Sequence, residues 1–343
     1  MNILDTFKFA LDAILPIILL IVLGYILKRI HFLKEGFLKV GNAFVYKVCL
    51  PCLLFYNVYS IDSFSSIDWS VVLYSEIFIL LAFLIGAICC KLFMKDPKQK
   101  GVVLQCIFRS NYAIIGISLA QALGGSSGLM IASVLSAFSI PTFNILAVLA
   151  LTMYNTGEEK EPLSKHILKT LKGVATNPLI IGVVIGLIVV AIRYAIPVNA
   201  DGEIAFSLER DCVFFFKAIK DLGTIASPLA LIVLGGTFDF AAIKGMIKPI
   251  LGGTLPRVIF VPLIAIGSAV LLSKYTSIIN FGPEVYPALI ALFGSPVAVS
   301  SAIMAEQMGN DGKLASQLVV WTSLLSIFTI FITVVLLRSM SLL

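Results

Sequence analysis

Three consecutive polar residues in an apolar stretch have the chemistry of an anion-binding site. Arg109, Ser110 and Asn111 stand within IFRSNYAIIGISL, residues 107–119, where an ordinary membrane helix carries leucines. The arginine offers a positive charge, and the serine and asparagine offer hydrogen-bond donors, which together suit a carboxylate. If the surrounding helix begins near residue 99, Arg109 lies about 10 residues, or roughly 15 Å, into the bilayer. An arginine at that depth must face protein or water.

A second polar stretch interrupts an apolar segment near residue 295. In FGSPVAVSSA, Pro296 lacks an N–H donor and Gly294 frees the backbone, so a helix should break there. A break exposes N–H groups at the start of the next half-helix, and this positive end attracts anions. We therefore predict an anion site where two broken helices cross, with these substrate-binding residues: Arg109, Ser110, Asn111, Tyr112, Asn144, Ser295 and Pro296. The predicted break or hinge residues are Gly116, Ser118, Pro141 and Gly294.

Two of these residues have alternative interpretations. Arg109 adds charge to the ligand site, or it forms a buried ion pair with Glu76 in the preceding span. Both hold if Glu76 also takes up a proton during transport. Asn144 reaches the same cavity, or it makes an interhelical hydrogen bond that holds the bundle together. Three other polar residues within spans are interpreted as structural or snorkelling residues: Lys47, Arg257 and Glu306.

No catalytic or cofactor-binding motif accompanies these residues. The chain has no H-E-x-x-H or G-x-S-x-G motif, and no phosphate-binding glycine loop in a usable context. The CLPC sequence at 49–52 has the spacing of redox and metal sites. No histidine or second cysteine pair accompanies it, so we interpret it as small buried residues around a helix-bending Pro51. We predict a protein that is not an enzyme, that needs no metal or cofactor, and that binds no nucleic acid.

These residues must be positioned by helices that cross a membrane. The chain is 59% hydrophobic and 13% charged, with a mean hydropathy of +1.04, which excludes an ordinary soluble domain. Its apolar runs are continuous and about 20 residues long, as membrane helices require, and not alternating as in a β-barrel. The predicted fold is an all-α polytopic bundle of ten spans, at 8–30, 35–60, 69–94, 99–123, 128–154, 165–195, 210–238, 245–273, 284–308 and 312–338.

Lysine and arginine residues are concentrated in the loops on one side of the predicted bundle. They follow the first span and the third span, and they occur again in the central loop that begins near residue 155. Cytoplasmic loops carry the excess of Lys and Arg. The bias therefore places the central loop inside and both termini outside a cytoplasmic membrane.

The two halves of the chain share a pattern of proline, glycine and serine. Pro16 and Gly24 in the first span match Pro178 and Gly186 in the sixth, with the same separation. FRSNYA in the fourth span aligns with FGSPVA in the ninth. A five-span unit crosses the membrane an odd number of times, so its copy is inverted, as in many secondary transporters. We predict a first repeat at 1–154, a short cytoplasmic linker at 155–164 and a second, inverted repeat at 165–343.

Several longer stretches resemble one family of membrane proteins. FRSNYAIIGISLAQALGG, GSPVAVSSAIMAEQMGND, WTSLLSIFTI and NPLIIGVVIGL are similar to sequences of the auxin efflux carrier family. That family includes the plant PIN auxin transporters and bacterial permeases for malate and malonate. The short central loop is typical of the bacterial members. One departure is Ser118, which stands where the family usually has the proline of a G-I-P-L sequence.

The resemblance implies a carrier of organic anions that is driven by a gradient, forms a homodimer and works by an elevator-type motion. Spans one, two, six and seven would form the scaffold, and the other spans would form the moving transport domain. The family's substrate-contacting asparagine in span four matches Asn111, and its asparagine in span five matches Asn144.

The function predicted from the sequence is therefore a secondary transporter of small mono- or dicarboxylates across the lipid bilayer. Two alternatives remain open: a ligand-gated channel and a membrane sensor built on a transporter fold. A channel would give unitary currents in planar bilayers, whereas a carrier would give saturable counterflow. A sensor would usually carry an additional soluble domain.

Overall fold

The computed structural model describes residues 3–59, 68–154, 172, 176–195, 207–238, 243–276 and 279–343. Every regular element in these ranges is helical, which confirms the predicted fold class at that level. Before the central loop the helices are α1 (Ile3–Arg29), α2 (Glu35–Phe44), α3 (Leu50–Tyr59), α4 (Trp69–Phe93), α5 (Pro97–Phe108) and α6 (Ile117–Met153). The predicted linker at 155–164 lies outside the described residues.

After the central loop the described residues form eight helices. They are α7 (Pro178–Ala195), α8 (Leu208–Asp211), α9 (Val213–Thr237), α10 (Ile243–Leu255), α11 (Val261–Tyr275), α12 (Tyr286–Leu289), α13 (Ser300–Gln307) and α14 (Gly312–Ser339). Short π-helical segments adjoin several of these helices, at Val45–Cys49, Tyr112–Gly116, Pro256–Phe260 and Ile290–Gly294.

Aspartate side chains begin three of the membrane helices. Asp68 accepts a hydrogen bond from Ser70 N at 2.9 Å, and Asp96 accepts one from Lys98 N at 2.9 Å, directly before α4 and α5. Asp311 accepts one from Leu314 N at 2.9 Å at the start of α14. Each bond satisfies an N–H group that has no partner within its own helix.

Six helical segments in the described ranges are long and apolar enough to cross a membrane. They are Glu35–Tyr56, Trp69–Phe93, Leu119–Ser136, Val213–Thr237, Gly245–Tyr275 and Gly312–Ser339. Phe138–Met153 and Pro178–Arg193 are shorter apolar helices. The protein is therefore a multi-pass membrane protein. The count of ten spans and the inverted repeat stay predictions.

The helices pack in two groups. The first group consists of α1, α2, α3, α7, α8 and α9, in which α1 packs along α9 and α3 packs along both α7 and α9. The second group consists of α4, α5, α6 and α10 to α14, in which α5 packs against α4, α6, α10 and α14. The groups meet where α1 packs on α14 and where Asn42 Nδ2 of α2 donates to Glu306 Oε2 of α13.

Two glycines allow the closest helix contact of the first group. A methyl group at Gly24 of α1 would clash with the carbonyl oxygen of Ile232 in α9. A methyl group at Gly235 of α9 would clash with the carbonyl oxygen of Ile21 in α1. The two backbones are therefore in direct contact, as small residues permit in membrane helices.

The first interruption lies at residues 109–111. Helix α5 ends at Phe108, Arg109 is extended (φ −82°, ψ 127°), and Asn111 (φ −80°, ψ 46°) precedes the π-helical segment Tyr112–Gly116. The predicted break residues Gly116 and Ser118 both lie downstream, in helical turns. The chain therefore leaves the helix at Arg109, Ser110 and Asn111 and has resumed it by Gly116. Pro141 lies inside α6, whose kink is instead at Gly125 (φ 59°, ψ −143°).

The second interruption separates α12 and its π-helical extension from α13. The extension Ile290–Gly294 ends at Gly294, and Ser295 is extended (φ −63°, ψ 149°). Helix α13 begins five residues later, at Ser300. Both interruptions thus follow a short half-helix and precede a second one.

Candidate functional site

The two interruptions touch each other through their backbones. Asn111 N donates a hydrogen bond to Pro296 O at 2.8 Å. Each group would have no helical partner at its position, so the contact satisfies one donor and one acceptor in the interior of the protein. The structure thus brings together the two polar stretches that the sequence singles out.

Arg257 holds the carboxyl ends of both upstream half-helices. It lies in the π-helical segment Pro256–Phe260 and is fully buried. Its Nη1 donates to Phe108 O of α5 at 3.3 Å. The guanidinium also donates to three carbonyls of the second interruption: to Ser295 O (2.7 and 3.0 Å), Phe293 O (3.1 Å) and Leu292 O (3.2 Å). Helix carboxyl ends carry unpaired carbonyls and partial negative charge, and a guanidinium satisfies both.

A small cavity of about 50 Å³ lies beside this crossing. Its polar wall comes from the second group: Arg109, Ser110, Asn111, Asn144 and Ser300. Its opposite wall comes from the first group and is apolar: Leu50, Leu53 and Leu54 of α3, Leu179 of α7, and Ala226 and Ala230 of α9. The cavity therefore lies between the two helical groups.

Arg109 is held by side chains of the second group. Its Nη2 donates to Asn144 Oδ1 and to Ser300 Oγ, both at 2.9 Å, and its Nη1 contacts the sulfur of Met304. Asn144 Nδ2 in turn donates to Ile140 O at 2.7 Å. Among the described residues no acidic side chain forms a salt bridge with Arg109, which is only 4% exposed. The site therefore has a buried positive charge that no described carboxylate pairs.

The predicted ion pair between Arg109 and Glu76 is not formed. Glu76, on α4, accepts a hydrogen bond from Thr142 Oγ1 at 2.6 Å. Thr142 and Asn144 are two residues apart on α6, so their side chains leave that helix in directions about 200° apart. Arg109 and Glu76 therefore contact different faces of α6. Glu76 is half-buried at its own position.

Two donors in the cavity wall have no hydrogen-bond partner among the described residues. Ser110 Oγ and Asn111 Nδ2 are both buried, and neither forms a hydrogen bond within the described structure. An unsatisfied buried donor costs about 1–3 kcal/mol. Both groups lie next to Arg109, and Ala298 and Val299, just before the amino end of α13, line the same cavity. The positive end of a helix is a favourable place for an anion.

The other predicted site residues lie around the cavity without lining it. Tyr112 is buried, and its hydroxyl forms no hydrogen bond with any described residue. Ser295 Oγ donates to Ala291 O at 2.6 Å, while Ser295 O and Pro296 O accept from Arg257 and Asn111. These residues therefore shape the crossing. Asn144 both lines the cavity and orients Arg109.

Sequence reasoning missed two contributors to the site. Ser300 lines the cavity and accepts a hydrogen bond from Arg109. The sequence VSSA contains two adjacent serines, and nothing in it indicates which of them faces the cavity. Arg257 was interpreted as a structural or snorkelling residue, and its burial excludes snorkelling. Its signal was an arginine directly after Pro256 in the middle of an apolar span, and sequence alone does not name the carbonyls that it binds.

A second, wider cleft opens between the groups at the level of the α1–α2 connection. It has a volume of about 1050 Å³ and lies between α1 and α2 on one side and α13 and α14 on the other. Its charged lining is mainly basic, with Lys28, Arg29, Lys34 and Lys313 against Glu35 and Glu306. A cleft lined by one sign of charge raises the local concentration of oppositely charged solutes.

Two comparisons with known proteins agree with this architecture. A model of the family described as membrane transport protein matches residues 9–334. The uncharacterized transporter MJ1031 of Methanocaldococcus jannaschii is 25% identical over 240 residues, which cover 68% of this chain and 70% of that protein.

Proposed function

The chain belongs to the membrane transport protein family, which includes the auxin efflux carriers, and on this premise we propose that it is a secondary transporter of small organic anions. The substrate binds in the cavity between the two helical groups. Membership in a family of transporters also fits the expectation that the protein is not an enzyme.

One observation carries the anion assignment. The buried guanidinium of Arg109 shares a cavity wall with two buried donors, Ser110 Oγ and Asn111 Nδ2, that have no partner in the described ranges. A buried charge is costly unless it is paired. A carboxylate in this cavity would pair the charge and accept from both donors. In this proposal the guanidinium of Arg109 pairs with the negative charge of the ligand, and Asn111 orients the ligand.

The dimensions of the cavity favour a small substrate. A volume of about 50 Å³ lies well below the roughly 300–1,000 Å³ of drug-sized ligand sites. The ligand class is therefore a small mono- or dicarboxylate, and the resemblance to bacterial permeases makes malate and malonate the first compounds to test.

The proposed mechanism is an elevator-type motion of the second group along the first. It is supported by the asymmetry of the cavity, whose polar groups all lie in the second group and whose opposite wall consists of leucine and alanine. The polar groups would travel with the substrate, and the apolar wall would remain behind as the barrier. An inverted repeat would supply the two related broken helices that such a site needs.

The arrangement in the membrane is also a proposal. The excess of lysine and arginine in the loops of one side favours both termini outside a cytoplasmic membrane, with the basic cleft opening to the inside. A homodimer is proposed from the family resemblance alone.

Counterflow in proteoliposomes tests the function. Vesicles loaded with unlabelled malate or malonate should accumulate the labelled compound, and Asn111→Ala should reduce this accumulation at least about tenfold, because a hydrogen bond to a charged ligand contributes about 1.5–3 kcal/mol. Asn280→Ala, at an exposed asparagine, is the matched control and should retain it. A broad panel of organic anions without any counterflow would refute the proposal. Unitary currents in planar bilayers would favour the channel alternative.

A further inference from the structure

A long apolar groove lies on the outer surface of the second group, away from the crossing cavity. It has a volume of about 780 Å³ and lies between α4 and the start of α5 on one side and α10–α11 on the other. Side chains such as Ile85 and Phe93 of α4 and Phe260 and Ile264 of the opposite wall line it. All four are more than half exposed. Since Trp69–Phe93 and Gly245–Tyr275 are membrane spans, the groove is open to lipid.

The groove has an apolar end and a basic end. Helix α4 runs from Phe78 toward Lys95, and α10–α11 runs the other way, from Lys248 toward Ile264. Phe78 and Ile264 therefore lie at one end, and Lys95 and Lys248 lie at the other. The 15 residue steps from Phe78 to Phe93 rise about 22 Å along a helix. This length covers the hydrocarbon region of one leaflet, which is about 15 Å thick, half of the bilayer core.

Within the part of the chain that the structure describes, Lys95 and Lys248 have no acidic partner. Lys95 follows α4 directly and Lys248 lies near the start of α10, and both are exposed. Neither forms a salt bridge or hydrogen bond with any residue that the structure describes. The nearby Gln99 is already bonded, since its Nε2 donates to Asp311 Oδ2 at 3.1 Å. Two ammonium groups are thus available at the point where a lipid head group would lie.

We propose that this groove binds a phospholipid with an anionic head group. One acyl chain lies between α4 and α10–α11, and the phosphate lies between Lys95 and Lys248. Basic pockets between membrane helices are suited to anionic head groups. A small soluble anion would bind the lysines and leave the apolar part of the groove empty. A zwitterionic lipid would fill the apolar part with its acyl chain, but its head group would be attracted less strongly by the two positive charges.

The groove lies next to residues that hold the two interrupted helices together. Ile107 and Pro256 line the groove. Their chain neighbours Phe108 and Arg257 are joined by the hydrogen bond from Arg257 Nη1 to Phe108 O. At the apolar end the rings of Phe78 and Phe293 are 5.1 Å apart, edge to face. An acyl chain in the groove would therefore pack behind the residues that hold the two broken helices together.

Gly252 offers a way to block the groove without disturbing the protein. It lines the groove, is exposed on α10, and a side chain there would meet no atom within 4 Å. Gly252→Leu should therefore fill the groove. Gly245 lies on the same helix, is equally free of neighbours and does not line the groove. Gly245→Leu is the matched control.

Native mass spectrometry of the full chain in an uncharged detergent tests the proposal. Phosphatidylglycerol should bind more tightly than phosphatidylcholine with the same acyl chains. Lys95→Gln with Lys248→Gln should weaken phosphatidylglycerol binding about fivefold per lysine and leave phosphatidylcholine binding unchanged. Lys91→Gln with Lys98→Gln, at exposed lysines outside the groove, should have no such effect. Gly252→Leu should weaken both lipids, and Gly245→Leu neither.

Three results would overturn the proposal. Equal binding of the two lipids, unchanged in the Lys95/Lys248 variant, would exclude a head-group site at the lysines. Identical lipid binding by the Gly252 and Gly245 variants would exclude the groove as the site of the acyl chain. Competition by inorganic phosphate alone, without dependence on the acyl chains, would indicate a soluble-anion site. If Gly252→Leu fails to fold, the lysine variants and the two lipids still decide the question.

Discussion

Two buried arginines near the crossing have different roles because their partners differ. Arg257 donates every one of its hydrogen bonds to backbone carbonyls of interrupted helices. Arg109 donates to side chains of its own helical group and lines the cavity. The first is a structural clamp, and the second is the charge of the proposed anion site. Both are arginines within apolar segments, so residue type and depth alone do not separate them.

Replacing Arg257 should destabilise the protein in proportion to the hydrogen bonds that are lost. Arg257→Met should lower the free energy of unfolding by about 1–3 kcal/mol for each carbonyl left without a donor, and Arg257→Lys should lower it less because it keeps the charge and up to three donors. Thermal unfolding in detergent measures the effect, with Arg29→Met at an exposed arginine as the control. An Arg257→Met variant that melts like the wild type would contradict the clamp.

Glu76 remains the proposed proton carrier, although it does not pair with Arg109. It is half-buried and its described partner is the hydroxyl of Thr142. Glu76→Gln should keep this hydrogen bond and lose the ability to titrate. We expect uptake driven by a pH gradient to be lost in proteoliposomes and counterflow without a gradient to persist.

Glu284→Gln is the control for this prediction, because Glu284 is exposed and its substitution should change neither activity. Gradient-driven uptake that survives in Glu76→Gln would remove Glu76 from the mechanism. Loss of counterflow together with uptake would indicate a structural role for the carboxylate.

At the scale of single residues the sequence identified the polar stretch and not its partners. Arg109, Ser110, Asn111 and Asn144 line one cavity, as an anion site requires. Of the two interpretations of Arg109, the ion pair with Glu76 is absent in the structure because the two side chains contact different faces of α6. The depth of a residue in the membrane follows from its position along a span. The direction in which its side chain points around the helix depends on how the helices pack.

At the scale of helices the interruptions lie where side chains compete with the backbone. Pro296 and Gly294 located the second interruption because a proline and a glycine act locally. The first interruption lies at Arg109–Asn111 and upstream of Gly116 and Ser118. There the chain has no proline, and the position depends on the contact of Asn111 N with Pro296 O. A contact between residues so far apart in sequence has no local signal.

The contact between α1 and α9 should tolerate no side chain at Gly24. Gly24→Ala should lower the free energy of unfolding by about 1–3 kcal/mol, because the added methyl group meets the carbonyl of Ile232 and the helices must separate. Gly36→Ala is the control, since a methyl group there meets no atom within 4 Å. Chemical denaturation in mixed micelles would measure both. Equal stability of the two variants would show that the helices do not touch at this point.

At the scale of the whole molecule the two groups are joined by a contact that must break if they move. Asn42 of the first group donates to Glu306 of the second, beside the basic cleft. Cysteines at these positions, in a background that lacks the six native cysteines, should be joined by a short thiol cross-linker. Cross-linking should abolish counterflow, and reduction of a cleavable linker should restore it.

A cross-link inside one group serves as the control for this experiment. Tyr59 Oη and Ser207 Oγ are 3.1 Å apart, and both lie in the first group. Cysteines there should be joined without loss of counterflow. Full counterflow with the Asn42 and Glu306 positions joined would exclude an elevator-type motion between these groups.

The hydrogen bonds at the crossing also bear on how the chain is made. Phe108 O is satisfied by Arg257, and Asn111 N is satisfied by Pro296 O, so the first half of the chain depends on residues synthesised much later. Unpaired backbone groups within a bilayer cost several kcal/mol each. During translation these two backbone groups therefore lack their hydrogen-bond partners until residues 257 and 296 have entered the membrane. The hydrogen bonds of the crossing therefore form in one late, cooperative step of biogenesis. A truncated chain that cannot form them should be a substrate for membrane proteases.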